Sequence, residues 1–252
     1  MKKREDRIQK LVELLEQTEK IHLKEAAKRL AVSEMTLRRD ISLLDPSPLN
    51  LLGGYIILAG DQKRSTNYFL SDQQQRHIDE KRYIGELAVS LVAENDVIFF
   101  DCGTTMPFII ERIPNTLPFT AVCYSLNVFL ALQQKENCKV ILCGGEFSAD
   151  NAIFVPINAH SPLDLICPTK SFISAAGIST RGVTCFNFHE ANWKMKAIER
   201  SQQNILIADS SKFDEQRPAY FGQLDDFDIL ISDAIPDSYR TYCRNHYVTV
   251  VI

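Results

Sequence analysis

The sequence predicts an α/β protein: a winged helix-turn-helix head of about 60 residues, then a larger domain built on a mainly parallel sheet. Three observations predict it. Three short helical stripes come first, the last two joined by a tight turn. An apolar stretch around a Gly-Gly follows, as in a short hairpin. From about residue 81, helical patterns alternate with short apolar runs of the kind buried in a parallel sheet. The expected division is 1–60 for the head, 61–80 for a linker and 81–252 for the body.

In the head, Ile8, Leu11 and Leu14 or Leu15 recur at helical spacing. Leu23, Ala26, Ala27 and Leu30 form the second stripe, and Leu37, Ile41 and Leu44 the third. Ala31-Val32-Ser33 is the short connection of a helix-turn-helix. Small residues at 26, 27 and 31 let the helices approach, and Val32 can plug the angle between them. Ser33 is placed to cap the third helix, its hydroxyl accepting an N–H that the first turn leaves unpaired. With the stripe inward, Glu34, Thr36, Arg38 and Arg39 face outward or lie on the flanks. Arginine forks onto guanine O6 and N7, and threonine touches a thymine methyl or a phosphate; the same side chains also hold phosphates and set register. Any surface helix can carry two arginines. The combination of turn, cap, inward stripe and paired arginines points to duplex DNA. Pro46 and Pro48 then lead into Leu49–Leu58 around Gly53-Gly54, which reads as the wing.

In the body, Lys81–Ala93 reads as a helix and Val97–Phe100 as a buried strand. Further strands are expected at Phe119–Tyr124, Lys139–Cys143, Ser171–Ala176, Asn204–Ala208, Ile229–Ser232 and Tyr247–Ile252, with helices at 126–135, 190–202 and 236–245. Open sheets of this kind bind ligands at the carboxyl ends of their strands, and the unusual residues fall there. Asp101-Cys102-Gly103-Thr104-Thr105 follows the first strand, with Pro107 just inside the next helix. A glycine lets backbone approach an anion, and threonine hydroxyls can donate to phosphate. Ser125 and Asn127 end the next strand, Gly144 and Gly145 the third, and Gly177–Gly182 the fourth. Lys212 follows the fifth. Each also has a plain reading as a cap or a turn. Glu190 and Lys194, one helical turn apart, have the plain reading of an exposed ion pair. Together these residues form a polar pocket suited to a small phosphorylated polyol.

The remaining sequence narrows the classes. Residues 1–64 hold 13 Lys/Arg against 10 Asp/Glu, and residues 65–252 hold 15 against 22. A mildly basic head on an acidic body fits a DNA reader attached to a sensor. No apolar run approaches a membrane span, and no secretory signal is read at the start, so no membrane partner is expected. The seven cysteines form no CxxC pair and read as buried, reduced thiols of a cytoplasmic protein. The five scattered histidines suggest no metal site, and no cofactor is expected.

The motifs carry a resemblance. HLKEAAKRLAVSEMTLRRDI at 22–41 resembles the helix-turn-helix signature of the DeoR family of bacterial regulators, and LLGGYI at 51–56 its wing. FFDCGTT at 99–105, CYSLN at 123–127, LCGGEF at 142–147 and ADSSKF at 208–213 resemble successive motifs of that family's sensor domain. The resemblance covers essentially the whole chain. It implies a sensor fold similar to ribose-5-phosphate isomerases, operator DNA and a small phosphorylated sugar as partners, and a homo-oligomer whose paired heads read two half-sites. By position it implies phosphate-loop roles for Thr104 and Thr105 beside Gly103, a sugar-facing carboxylate at Asp101, and pocket roles for Ser125, Asn127, Gly144, Gly145, Lys194 and Lys212. CYSLN and TCFN (184–187) are most similar to a deoxyribose-responsive member, which implies deoxyribose 5-phosphate as inducer and nucleoside-catabolism genes as targets. Two departures bear on the effector: many members have Arg where Leu52 stands, and Thr-Asn where Cys123-Tyr124 stands.

Two rival readings remain. One is a regulator of the same type that senses a different sugar phosphate. The other is a sugar-phosphate isomerase with an added head. Aldose–ketose isomerisation needs a base, usually a carboxylate. The fourth strand end, Ser174-Ala175-Ala176-Gly177-Ile178-Ser179, carries no acid, and Glu190 belongs to the following helix. Binding groups are expected without the base, hence no enzyme.

Overall fold

The three helical stripes of the head become α1 (Lys2–Thr18), α2 (Leu23–Arg29) and α3 (Glu34–Ser42) in the computed structural model, which describes residues 2–18, 20–42, 49–52, 55–58, 77–149, 151–158 and 160–252. Ile8, Leu11, Leu15, Leu23, Ala26, Ala27, Leu37 and Ile41 bury into one cluster, Leu15 rather than Leu14 filling the alternative position. Val32 packs against that cluster, between α2 and α3. The turn closes on Ala31 at φ 51°, a left-handed position, with Val32 N–H donating to the Ala27 carbonyl at 3.0 Å. Two strands, β2 (Leu49–Leu52) and β3 (Tyr55–Leu58), pair antiparallel, and β1 (Lys20–His22) joins on the other side of β3. That third strand was not foreseen: three residues between two helices are too few to show a period. Leu44, Pro46, Pro48, Gly53, Gly54 and the greater part of the expected linker lie outside the described residues.

The second compact unit, Gln73–Ile252, begins α4 (Ile78–Val89), β4 (Val97–Phe100), α5 (Met106–Arg112), β5 (Phe119–Cys123), α6 (Leu126–Leu132), β6 (Cys138–Leu142), β7 (Glu146–Ser148) and β8 (Ile153–Val155). It continues with β9 (Lys170–Ser174), β10 (Gly177–Ser179), β11 (Gly182–Cys185), α7 (Phe188–Arg200), β12 (Gln203–Ile207), β13 (Ala219–Gly222), β14 (Ile229–Ile231), α8 (Asp237–Asn245) and β15 (Thr249–Val251). All seven expected strands enter one sheet, ordered β15-β14-β12-β9-β4-β5-β6, with every pair parallel.

Alternation along the strands sorts the core into two layers. Ile98, Phe100, Phe172, Ile205 and Ile207 face Ile84, Ile109 and Val128 of α4, α5 and α6. Phe99, Val122, Ile173 and Leu206 face Trp193, Ala197 and Tyr239 of α7 and α8. From β4 the sheet grows through β5 to β6, then resumes at β9 on the other side of β4 and grows to β15. The reversal lies between β4 and β9, and the crevice beyond the carboxyl ends of such a strand pair is where open α/β sheets take ligands. Two small antiparallel units were not foreseen, the β7–β8 hairpin and the sheet β10-β11-β13. Gly177–Gly182, expected as a simple strand end, starts the β10–β11 hairpin.

Candidate functional site

At the reversal point Asp101 is fully buried, and its carboxylate is saturated with donors. The Tyr124 hydroxyl donates to Oδ1 at 2.5 Å, and the Ser174 N–H donates to Oδ2 at 3.0 Å. The Ser174 hydroxyl and the Lys194 ammonium also donate to Oδ2. Burial works to raise the Asp101 pKa, but Lys194, Ser174 and Tyr124 outweigh it and hold the carboxyl below its ordinary range. The same balance acts on Lys194, whose burial favours the neutral amine while Asp101 raises its pKa above the usual lysine value. Gly103 belongs here for a steric reason: a Cβ on it would overlap the Ser174 side chain. Tyr124 is fixed between Phe99 and Trp193, at ring distances of 5.8 and 5.1 Å.

The expected exposed pair of Glu190 and Lys194 is therefore corrected. Lys194 reaches across the sheet end to Asp101, and Glu190, 4 % exposed, accepts from Asn151 Nδ2 at 2.7 Å. Burial raises the Glu190 pKa, with Lys194 and Asn151 opposing. Residues 174–179 carry no acid, as read from the sequence, but α7 delivers the Glu190 carboxyl against Cys102. Asn127 donates to the Cys102 carbonyl at 3.3 Å, joining the end of β5 to the loop after β4. Three polar atoms around this cluster are buried without a partner: Ser125 Oγ, Asn127 Oδ1 and Asn151 Oδ1.

Thr104 and Thr105 follow, both buried, and Thr105 makes no side-chain cap for α5. Helix α5 follows directly from this loop, and α4 packs on it with Gly85 against the Phe108 backbone. Helix α4 presents Lys81 on its buried face, in line with Ile84, Gly85 and Ala88. Burial pushes the Lys81 ammonium down to about 8, Asp209 raising it and Lys212 lowering it further. Lys212 contacts Ser211 Oγ at 3.1 Å and Asp209 at 3.4 Å, not the Asp101 cluster. Of the paired glycines, Gly145 (φ 152°) is required by its approach to the Val155 carbonyl of the β7–β8 hairpin, whereas a Cβ on Gly144 would meet nothing within 4 Å. Lys81, Tyr124, Ser174 and Asn151 were missed in the sequence. Lysine at a core position of a helical stripe was the available signal for the first.

On the head, Thr36 N–H donates to Ser33 Oγ at 3.1 Å, which is the expected cap. Ser33, Glu34, Arg38 and Arg39 are exposed and Thr36 half-buried, its hydroxyl 2.8 Å from that of Ser33. Asp40, in contrast, is buried against Arg7 at 2.7 Å and braces α3 on α1. Among the described residues there is no disulfide, no cluster of three potential metal ligands, and no helix long and apolar enough to cross a membrane.

A winged helix-turn-helix followed in the chain by an α/β unit with a charged, incompletely paired strand-end cluster has the build of a ligand-responsive DNA-binding regulator. Residues 7–59 match the DeoR-like helix-turn-helix domain and residues 76–234 the DeoR C-terminal sensor domain. The chain belongs to the DeoR family. It is 48% identical over 251 residues to the deoxyribose operon repressor of Escherichia coli strain K12, covering 99% of this chain and 98% of that one. It is 31% identical over 242 residues to the lactose phosphotransferase system repressor of Streptococcus mutans, covering 93% and 94%. Among solved structures, ribose 5-phosphate isomerase A of Methanocaldococcus jannaschii aligns with 66% of this chain and 65% of its own, at 16% identity and a TM-score of 0.42.

Proposed function

We propose that this protein is a cytoplasmic transcriptional repressor of a deoxyribose or deoxyribonucleoside catabolic operon, released from its operator by 2-deoxyribose 5-phosphate. The observation that carries the reading is the 48% identity to a deoxyribose operon repressor over 99% of the chain, head and sensor together. Residues 1–60 are the DNA reader, 61–80 the linker and 81–252 the sensor. Ser33, Glu34, Thr36, Arg38 and Arg39 form the DNA-contacting face. Thr104 and Thr105, with Gly103 shaping their loop and Lys81 and Lys212 supplying charge, take the phosphate. Ser125 and Asn127 face the sugar. Asp101 and Lys194 form the floor, and Gly144 and Gly145 carry the chain into the hairpin beside it. The protein is a homo-oligomer whose heads match two operator half-sites, and inducer favours an arrangement that no longer fits them.

The buried Glu190 gives the isomerase reading its one specific support, because it is a carboxyl at the right end of the sheet. Burial biases it toward its neutral form, which is a poor base, and Asn151 already occupies Oε1. The protein is a sensor and not an enzyme; interconversion of ribose 5-phosphate by pure protein, followed by NMR, would overturn this.

The main test is a gel shift on the protein's own upstream DNA, with and without 2-deoxyribose 5-phosphate and with ribose 5-phosphate for comparison. A specific shift abolished by the deoxy sugar is expected. Equal affinity for random duplex would sink the reading. Arg38→Ala should weaken operator binding by about 1–3 kcal/mol and leave inducer affinity unchanged.

A further inference from the structure

Asn151 has a buried side chain, 1 % exposed, that is only half satisfied. Its Nδ2 donates to Glu190 Oε1 at 2.7 Å, and its Oδ1 has no partner. Turning the amide over exchanges the two ends and leaves the other one bare. The Ser125 hydroxyl, also fully buried, lacks a partner too. The two gaps share one junction of the chain: Ser125 is bridged to Ile153, and Leu126 N–H donates to the Ala152 carbonyl at 2.8 Å. Buried polar atoms without partners are uncommon in folded proteins, and each costs stability that a bound group can restore.

The charges around this junction decide what can fill it. Asp101, Glu190 and Lys194 lie together, and the one ammonium is already bound to Asp101 and to the Ser174 carbonyl at 2.9 Å. Among the described residues of this cluster no ammonium is left uncommitted for an anion. Two further ammonium groups, Lys81 and Lys212, stand together with Asp209 beyond the end of β12. A neutral group that both donates and accepts suits Asn151 in either amide orientation, and a hydroxyl is that group.

We propose that Asn151 and Glu190 form a hydroxyl-reading subsite, with Ser125 beside them, which holds the sugar end of the effector while its phosphate points to the lysine end. The subsite rests on the sugar-phosphate reading above and adds to it the residues that choose among sugar phosphates and the direction in which the ligand lies.

Calorimetric titration of the full-length protein tests it. The ligands are 2-deoxyribose 5-phosphate, its 1,2-dideoxy analogue without the anomeric hydroxyl, its 2,3-dideoxy analogue without the 3-hydroxyl, and inorganic phosphate. One of the two hydroxyl deletions should weaken binding to the wild type by roughly 10-fold to 100-fold. Asn151→Ala should weaken 2-deoxyribose 5-phosphate by a similar factor and should then be indifferent to that same deletion, because both changes remove one contact. Inorganic phosphate should bind wild type and variant alike. Fully additive losses, which a buried water in place of the sugar hydroxyl would give, overturn the subsite; so does a wild type indifferent to both deletions. Weaker phosphate binding by the variant reverses the orientation and overturns it as well. If the wild type does not bind 2-deoxyribose 5-phosphate, the underlying sugar-phosphate reading fails and takes the subsite with it. Should Asn151→Ala melt too low to titrate, Asn151→Ser replaces it, and the wild-type arm keeps its force without any variant.

Discussion

Strand β4 carries an Asp–Lys pair at each end, and the surroundings of the two pairs differ. At its start Asp96 accepts from Lys170 at 2.6 Å, from the Thr169 hydroxyl at 2.8 Å and from the Ala93 N–H at 2.8 Å. At its end Asp101 accepts from Lys194, Ser174 and Tyr124. Both carboxylates are well served. The first pair touches water, however, with 17 % of the Lys170 side chain exposed, whereas Lys194 and Asp101 are 1 % and 0 % exposed. No unpartnered buried polar atom appears among Asp96, Thr169 and Lys170, while Ser125 Oγ, Asn127 Oδ1 and Asn151 Oδ1 lack partners around the second pair. Folding alone pairs what it buries. The residues of the first pair are therefore satisfied within the chain, whereas polar atoms around the second pair are left over.

The largest expected effect separates the two pairs directly. Lys194→Ala strands Asp101 in a dry site and should cost about 3–5 kcal/mol. Lys170→Ala leaves Asp96 near solvent with two other donors and should cost roughly 1 kcal/mol. Urea denaturation followed by the fluorescence of Trp193, the single tryptophan of the chain, measures both. Equal losses would erase the contrast. The pair at the start also sets an acid limit. Burial tends to raise the Asp96 pKa, but Lys170, Ala93 and Thr169 bring it below the ordinary value. Its stabilisation is then complete above the unfolded carboxyl's pKa of about 3.9 and is lost as pH falls through the lower folded value.

A second pair of variants sharpens the comparison within the carboxyl-terminal edge. Gly103→Ala forces a Cβ onto the Ser174 side chain that also serves Asp101, and roughly 1–3 kcal/mol should be lost. Gly144→Ala places its Cβ in open space, and the smaller freedom of the unfolded chain should make it neutral or stabilising by up to about 1 kcal/mol. Thermal melts of the two variants decide it. If Gly144→Ala were the more damaging, the contact with Ser174 would not be what requires glycine at 103.

The same contrast explains what was legible in the sequence. Strands of the large sheet were legible because runs such as Val-Ile-Phe-Phe are apolar at every position, which two-sided burial demands. The head was legible because Ser33, the turn and the inward stripe follow local rules, and the cap to Thr36 is a contact over three residues. Strands β1, β7 and β10 have three residues each and mixed polarity, so no period could announce them. Within the site, a strand-end position was enough to single out Asp101 and Ser125. Partner choice was not legible. Lys194 passes over Glu190, its neighbour one turn away, for an aspartate 93 residues distant, and Asn151 stands in a hairpin connection with no pattern of its own. Lys81 falls between these cases, its stripe visible and its burial a consequence of α4 lying flat on the sheet.

Lys81 supplies the smallest expected effect and the one that tests the cationic end. Burial lowers its pKa to about 8, against the usual lysine value of 10.5. The folded chain therefore holds fewer protons than the unfolded one between these values, and Lys81 makes stability rise as pH climbs through that window. A phosphate beside the amine reverses the preference, because added negative charge favours the ammonium form and its pKa goes up. Above pH 8 the inducer must then bind together with a proton, so its affinity falls as pH rises. The phosphate itself, with a second pKa of about 6, is fully ionised throughout and adds nothing to the trend. Between pH 7 and 9 the expected loss in affinity is below about 10-fold, since the binding of one proton changes affinity by at most a factor of ten per pH unit and here only part of that range is in play. Calorimetry at pH 8.5 in two buffers of different ionisation enthalpy should show net proton uptake, and Lys81→Met should abolish it. Proton uptake unchanged in Lys81→Met would move the phosphate away from α4 and remove the charge asymmetry that orients the sugar.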